Sequence, residues 1–331
     1  QSLSSIVLTD KKISKIYQLF KKKISFLKKK KFIIGVSGGP DSLALAALSR
    51  VYENEFKIKI FYVLIDHGIR KGSSKEASKI KKLLKKYNIN LNILTNKIKI
   101  NSNIQSKARD VRYKFLIKFC KKKKLNYIFT AHHSDDQVET FLIRLSRGSG
   151  VQGLSSMKFL TKLDKKVNLV RPLLDVKKEN LIYTSKKIFK KVIKDPSNKD
   201  IKYLRVRIRG LKNKLEKSGI SHEQIIKSIK NLSSTSDTLN NYIDKIYKKN
   251  VKKNKNEAIV NFKNLKEESL EIQIRILSSV IKNFTGSYYP PRSKKIINLI
   301  DGLNNKKQKK FTLSKCVIET IQNKLRFKKE A

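Results

Sequence analysis

From residue 31 onward, short apolar runs alternate with helical patterns, and this alternation constrains the fold more than any other feature. "KFIIGVS" (31–37) reads as a strand and 41–54 as a helix; "KIKIFYVLID" (57–66) is a strand and 73–87 a helix. "NLNILTN" (90–96) and "NYIFTAH" (126–132) are strands followed by helices at 103–123 and 134–147, and "NLVRPLL" (168–174) is a further strand before a helix at 177–190. Strands that alternate with helices build a parallel sheet covered on both faces. The expected class is α/β, a doubly wound and mostly parallel sheet. Residues 10–30 mix apolar residues and lysines at helical spacing, which predicts a basic amphipathic helix packed on this domain. Beyond about 215, "SHEQIIKSIKNL" and "LEIQIRILSSVIKNF" indicate a smaller, mainly helical domain, and the alternation in "KKFTLSKCVIETIQNKLRFKK" fits a terminal hairpin. The expected boundaries are 1–30, 31–214 and 215–331.

The first strand and helix are separated by Ser37, Gly38, Gly39, Pro40, Asp41 and Ser42. Ligands of open parallel sheets bind at the carboxyl ends of strands, and this break lies at such an end. Two glycines let backbone amides curl around a phosphate. Pro40 suits the first helical turn, and the helix start offers free amides to an anion. Ser37 and Ser42 add hydroxyls. Asp41 would repel phosphates unless a cation such as Mg²⁺ bridges them. No GK[ST] follows, so this is not the GxxxxGK[ST] loop.

Other polar groups fall at further strand ends. Asp66 and His67 close the second strand, near the anion site expected at Ser37–Ser42. Arg109 and Arg112 stand three apart on one helix face, suited to polyphosphate or RNA. In "TAHHSDDQVET" (130–140), Ser134 and Gln137 fit a capping box. Asp136 and Glu139 share a helix face, with His132 and Asp135 beside them, and are candidates for Mg²⁺ or an ammonium group. Arg144 and Arg147 flank a glycine-rich stretch that reads as a flexible basic loop. Arg205, Arg207 and Arg209 follow an Asp-Pro-Ser-Asn turn and, with Tyr203, suit an RNA backbone.

Charge agrees with a polyanionic partner. The 331 residues hold 78 Lys plus Arg against 26 Asp plus Glu, a formal +52. Lys, Ile and Asn are abundant throughout, so compositional bias inflates the lysine count, and the fewer, clustered arginines are the better evidence. No run approaches about 18 uncharged apolar residues, so no membrane span is expected, and the polar, lysine-rich start predicts no secretory leader. Cys120 and Cys316 form no CxxC or metal spacing and fit a reducing, cytoplasmic setting.

Taken in order, "SGGPDS", "DHGIR", "ARDVRY", "AHHSDDQVET", "RGSGVQGL", "RPLL" and "DPSNKDIKYLRVRIR" resemble the tRNA(Ile)-lysidine synthetase family, over about residues 32–210. "SGGPDS" alone resembles the pyrophosphate loop of the wider ATP-pyrophosphatase group, with its adenine-nucleotide-hydrolase-like fold. The resemblance implies a ligase that adenylates C2 of the wobble cytidine in a CAU anticodon and lets free L-lysine displace AMP. It implies that Ser37–Ser42, Asp66, His67, Arg109 and Arg112 bind ATP, and that Asp41, Asp136, Arg112 and Arg205 act in catalysis. Asp41 and Asp136 would hold Mg²⁺; His132, Asp135, Asp136 and Glu139 are candidates for lysine or Mg²⁺. Arg144, Arg147, Arg207 and Arg209 would touch tRNA, as would the region 215–331. The implied partners are tRNA(Ile), L-lysine and ATP, without a membrane and compatible with a homodimer. The nearest rival, a tRNA thiolase of the same loop group, needs cysteines to carry sulfur. A non-catalytic RNA-binding protein would have no use for Asp41, Asp136 and Glu139, because carboxylates oppose phosphate binding.

Overall fold

The computed structural model describes residues 2–68, 72–96, 104–190, 204–285, 290–305 and 310–330. The chain forms two compact units, Gln1–Ser233 and Ser234–Ala331.

The first unit begins with α1 (Leu3–Thr9) and α2 (Lys11–Ile24). The single helix expected over 10–30 is thus two helices. The break falls at Asp10, whose Oδ1 accepts the amides of Lys12 and Ile13 at 3.0 Å and so caps α2. Ile13, Ile16, Tyr17, Phe20 and Ile24 bury one face of α2 in the same core as Leu45, Leu48 and Leu181.

Then follow β1 (Ile33–Val36), α3 (Pro40–Phe56), β2 (Phe61–Asp66), α4 (Ser73–Lys85), β3 (Leu91–Thr95), α5 (Ile104–Lys122), β4 (Tyr127–Phe129) and α6 (Ser134–Leu145). The unit continues with α7 (Val151–Leu154), β5 (Leu160–Lys162), β6 (Asn168–Val170), α8 (Lys178–Phe189), α9 (Leu204–Gly210), α10 (Lys212–Lys217) and the start of α11 (His222–Asn250). The strands form one sheet in the order β3-β2-β1-β4-β6-β5. All pairs are parallel except β5–β6 at one edge. The expected strand 57–66 starts only at Phe61, because Lys57 ends α3 in the left-handed conformation (φ 51°) and Glu53 Oε1 holds the amide of Ile60 at 2.9 Å. The strand expected over 168–174 stops at Val170. Strand order runs outward from β1 in one direction and from β4 in the other, so the crevice between their carboxyl ends is the topological switch point.

The second unit holds the rest of α11 and β7 (Val251–Lys253), β8 (Glu257–Asn261), α12 (Phe262–Lys266), α13 (Leu270–Thr285), α14 (Ser293–Asn304), β9 (Lys310–Thr312), β10 (Cys316–Ile321) and β11 (Lys324–Lys329). Five antiparallel strands in the order β7-β8-β11-β10-β9 carry Val260, Ile318, Leu325 and Phe327 into a core with Ile276, Leu277 and Ile300 of α13 and α14. The helical domain expected here therefore also contains a small sheet. Its β10–β11 hairpin forms at the terminal alternating run, whereas β7 and β8 are masked in sequence by lysine and asparagine.

Candidate active site

The loop after β1 is closed by Ser42. Its Oγ accepts the amides of Ser37 and Gly38, both at 3.1 Å, and donates to the Gly39 carbonyl at 2.9 Å. The hydroxyl expected to face phosphate is thus turned inward, and Ser42 is buried. Gly38 adopts φ +85°, and a Cβ there would lie 2.2 Å from Ile80 Cδ1. Pro40 is the first residue of α3 and Gly39 its uncapped N-cap. Asp41 occupies the first turn.

Across the switch point, α6 brings its own polar end. Its N-cap is His133 rather than Ser134: His133 Nδ1 accepts the Asp136 amide at 3.3 Å, and Asp136 Oδ2 accepts the His133 amide at 3.2 Å. A histidine can cap because its neutral ring has one acceptor nitrogen. Nε2 then faces two carboxylates, Asp41 Oδ2 at 3.6 Å and Asp136 Oδ2 at 3.4 Å. Burial alone would lower the pKa of His133, but the hydrogen bond to Asp41 and the charges of Asp136 and Asp41 outweigh it and raise the pKa. Asp41, Asp136 and His133 therefore meet at one point. Asp41 Oδ1 is buried there without a hydrogen-bond partner. An orphaned carboxylate oxygen beside a second carboxylate fits a divalent cation that takes its remaining ligands from phosphate and water. Among the described residues no three His, Cys, Asp or Glu side chains form a complete metal cage.

Other expected site residues are brought near, with altered roles. Asp66 is buried and fully used: its carboxylate accepts the Gly68 amide at 3.1 Å and the Ser74 hydroxyl at 2.7 Å. Burial raises its pKa, yet the hydrogen bonds from Ser74, Ser73 and Gly68 win and lower it. His67 is driven to a pKa of about 4, first by burial and then by the Arg112 charge. His132 receives a hydrogen bond from, or donates one to, Thr130 Oγ1 at 2.8 Å. Its pKa falls well below normal through burial and the charges of Arg171, Arg109 and Arg205. Two neutral histidines surrounded by arginines mark this rim as a place for anions. Arg109 is exposed, its guanidinium 5.5 Å from the ring centroid of Tyr113.

Glu139 is buried; its carboxylate accepts hydrogen bonds from Arg209 Nε at 2.7 Å and Nη2 at 3.1 Å and forms an ion pair with Arg205, whose Nε lies 3.1 Å away. The helical form of α9 explains the pairing. Arg205 and Arg209 are four apart and share a face, whereas Arg207 points away and is exposed. Of the three arginines, Arg205, expected in catalysis, and Arg209, expected at tRNA, reach Glu139, whereas Arg207 does not. The turn at 195–198 and Tyr203 lie outside the described residues.

Asp135 serves α8, accepting the Lys178 amide at 2.9 Å, with Lys212 Nζ 3.6 Å away. Arg144, expected at RNA, donates through Nη1 to the carbonyls of Gly153 (2.6 Å) and Ser156 (2.9 Å). Arg147 is exposed and has no ion-pair partner among the described residues. Arg171, which sequence reading did not assign, is buried and donates to the Lys158 carbonyl at 2.7 Å. Cys120 and Cys316 are buried in separate apolar cores, and burial pushes their thiols up to about 12 and about 11. Neither is a reactive thiolate.

A parallel sheet with this loop at its switch point defines a PP-loop nucleotide-binding domain, and the family model described as "PP-loop domain" matches residues 8–215. The chain belongs, within that class, to the tRNA(Ile)-lysidine synthase family. The tRNA(Ile)-lysidine synthase of Wolbachia pipientis wMel is 32% identical over 290 residues, 86% of this chain and 67% of that protein. Those of Orientia tsutsugamushi and Bradyrhizobium diazoefficiens are 30% and 37% identical, over 90% and 56% of this chain and 65% and 52% of theirs. The chain thus spans between about half and two thirds of the length of these relatives. Among solved structures, the U34-tRNA thiolase of Methanococcus maripaludis aligns over 67% of this chain and 79% of its own, with a TM-score of 0.57 and 20% identity, a likeness of fold. No described helix is long and apolar enough to cross a membrane.

Proposed function

We propose that this protein ligates L-lysine to C2 of cytidine 34 in the CAU anticodon of tRNA(Ile), in the cytoplasm, using ATP and releasing AMP and pyrophosphate. The observation that carries this reading is the convergence of Asp41, His133 and Asp136 beside the Ser37–Ser42 loop, at the switch point of the sheet. The first unit would hold the chemistry and the second would contribute to tRNA binding.

In the first step the cytidine O2 attacks the α-phosphorus of ATP, and the bond to the bridging oxygen breaks to release pyrophosphate. The loop and the start of α3 offer backbone amides to the phosphates. Arg112 and Arg205 meet the negative charge that builds on the leaving group. Mg²⁺, when bound by Asp41 and Asp136, would supply charge neutralisation between phosphate oxygens. In the second step the lysine ε-amine attacks C2, the C2–O bond breaks, and AMP leaves. The amine must shed a proton, and a carboxylate of the cluster, Asp136, would receive it. Glu139 holds Arg205 and Arg209 in place. The buried, protonated thiols of Cys120 and Cys316 support ligation over sulfur transfer.

The test is mass spectrometry of nucleoside 34 after incubation of tRNA(Ile) with ATP, lysine and the protein. The expected product is cytidine plus lysine less one water. AMP formation that does not depend on lysine would refute the reading.

A further inference from the structure

The stretch between α6 and β5, read in sequence as a flexible loop, is tied to α6 along two turns. Gln137 is buried and pairs with Met157 at both ends of its amide: Nε2 donates to the Met157 carbonyl at 2.9 Å, and Oε1 accepts the Met157 amide at 2.8 Å. One turn and more further along, Arg144 holds the Gly153 and Ser156 carbonyls. Ser156 between them sits at φ +59°, a region that favours glycine, and its hydroxyl donates to the Gln137 carbonyl at 3.1 Å. A non-glycine residue keeps such a backbone only where its surroundings over-determine it. The segment is anchored in turn to the sheet. Arg171, directly after β6, donates to the Lys158 carbonyl at 2.7 Å and to Thr161 Oγ1 at 2.9 Å, and its amide donates to the Phe159 carbonyl at 2.9 Å.

Gln137 and Arg144 are seven apart and lie on one side of α6, while Asp136 and Glu139 point elsewhere, toward Asp41 and toward α9. A helix held by its cap alone could rotate about its axis, and a rotation would swing both carboxylates off target together.

We propose that Gln137 and Arg144 are positioning residues: they lock α6 to the sheet through Gly153–Met157, and this lock aims Asp136 and Glu139. The assignment rests on the ligase reading for its kinetic consequence, but not for its structural one. On this reading Arg144 acts through the two protein carbonyls that its Nη1 holds rather than through an RNA phosphate.

The experiment compares Arg144→Met with the wild-type chain. Because the geometry of reacting groups is set through α6, kcat for lysine-dependent AMP release should fall about 10- to 100-fold, with KM for ATP little changed. tRNA affinity and its dependence on salt should stay as in the wild type. A phosphate contact would behave differently: its loss would weaken tRNA binding and reduce the salt slope by about one. That result, or an unchanged kcat, overturns the proposal. Amide hydrogen exchange gives a readout independent of catalysis. Faster exchange in both 153–157 and 134–139 supports the lock, whereas faster exchange in 153–157 alone overturns it. If the wild-type chain makes no lysidine, the ligase reading fails, and the exchange data still decide on the lock. Should Arg144→Met not fold, Gln137→Glu is measured in the same way, since it keeps one acceptor for the Met157 amide and loses the donor to its carbonyl.

Discussion

A methyl group at position 38 would sit 2.2 Å from Cδ1 of Ile80, on a backbone already at φ +85°. Gly38→Ala should therefore cost about 1–3 kcal/mol or more in stability, from conformation and clash together. Ile80 is itself buried, so Ile80→Ala carries its own cost, but Gly38→Ala should cost less in that background, where the clash is gone and only the backbone strain remains. Thermal melts of the three variants check this, and equal melting points for Gly38→Ala and wild type would refute it. His67 offers a different test at the same scale. Its pKa in the folded chain is about 4, below the usual 6.5, because of burial and Arg112. As pH falls the unfolded chain takes the proton first, so this group's contribution to stability is whole above about 6.5 and declines between about 6.5 and 4. His67→Gln should flatten that part of the pH dependence. Urea titrations at pH 7 and pH 5 report it, and the same drop in both proteins would show that His67 is not the group responsible.

Helix α6 carries most of what sequence reading found and most of what it misjudged. The pattern "AHHSDDQVET" marked a helix start and a group of carboxylates, and both are there, whereas the strand expected to reach 132 stops at Phe129. The cap was shifted by one residue, because capping rules favour serine and a histidine ring acceptor is rare in that role. Glu139 stood out in sequence as a candidate for Mg²⁺ or an ammonium group, but the partners it has were not legible: Arg205 and Arg209 lie more than sixty residues away, and only a helix puts both on one face. Gln137 and Arg144 were assigned to a capping box and to tRNA, and neither reading pointed to the partners they have here, which are backbone atoms of a glycine-rich stretch with no signature. The Glu139 contacts lead to a prediction. Arg205 and Arg209 are 38% and 34% exposed, so losing their shared partner costs less than in a fully buried cluster. Glu139→Ala should lower stability by roughly 1–3 kcal/mol, below the about 3–5 of a buried pair. Chemical denaturation measures this. A loss under about 0.5 kcal/mol, as for an ordinary surface substitution, would argue that α9 is held by other means.

At the scale of the whole molecule, the alternation of strands and helices made the parallel sheet legible, including where its strands would deliver ligands. Of the antiparallel elements, the terminal β10–β11 hairpin was legible, whereas β5 and β7 were not. β5 has three residues, and β7 is valine followed by two lysines. Edge strands this short leave almost no alternation to read. The charge of +52 belongs to this scale as well. If it binds tRNA through phosphates, tRNA affinity should fall with salt as a power law with an exponent of several units, while lysine affinity changes far less. Filter binding across salt concentrations tests this, and a flat response would assign the charge to compositional bias.

The two N-terminal helices have a consequence for biosynthesis. The apolar face of α2 shares its core with Leu181 and Ile188 of α8, so a helix made early waits for an element made much later in the same unit. At about 5–20 residues per second, the roughly 170 residues between them take on the order of 10–30 s to synthesise. Through that interval Ile13, Tyr17 and Phe20 belong to a nascent chain without their final cover. A chaperone that binds amphipathic, lysine-flanked helices would find its target there, and slowed translation between α3 and α8 would lengthen the exposure.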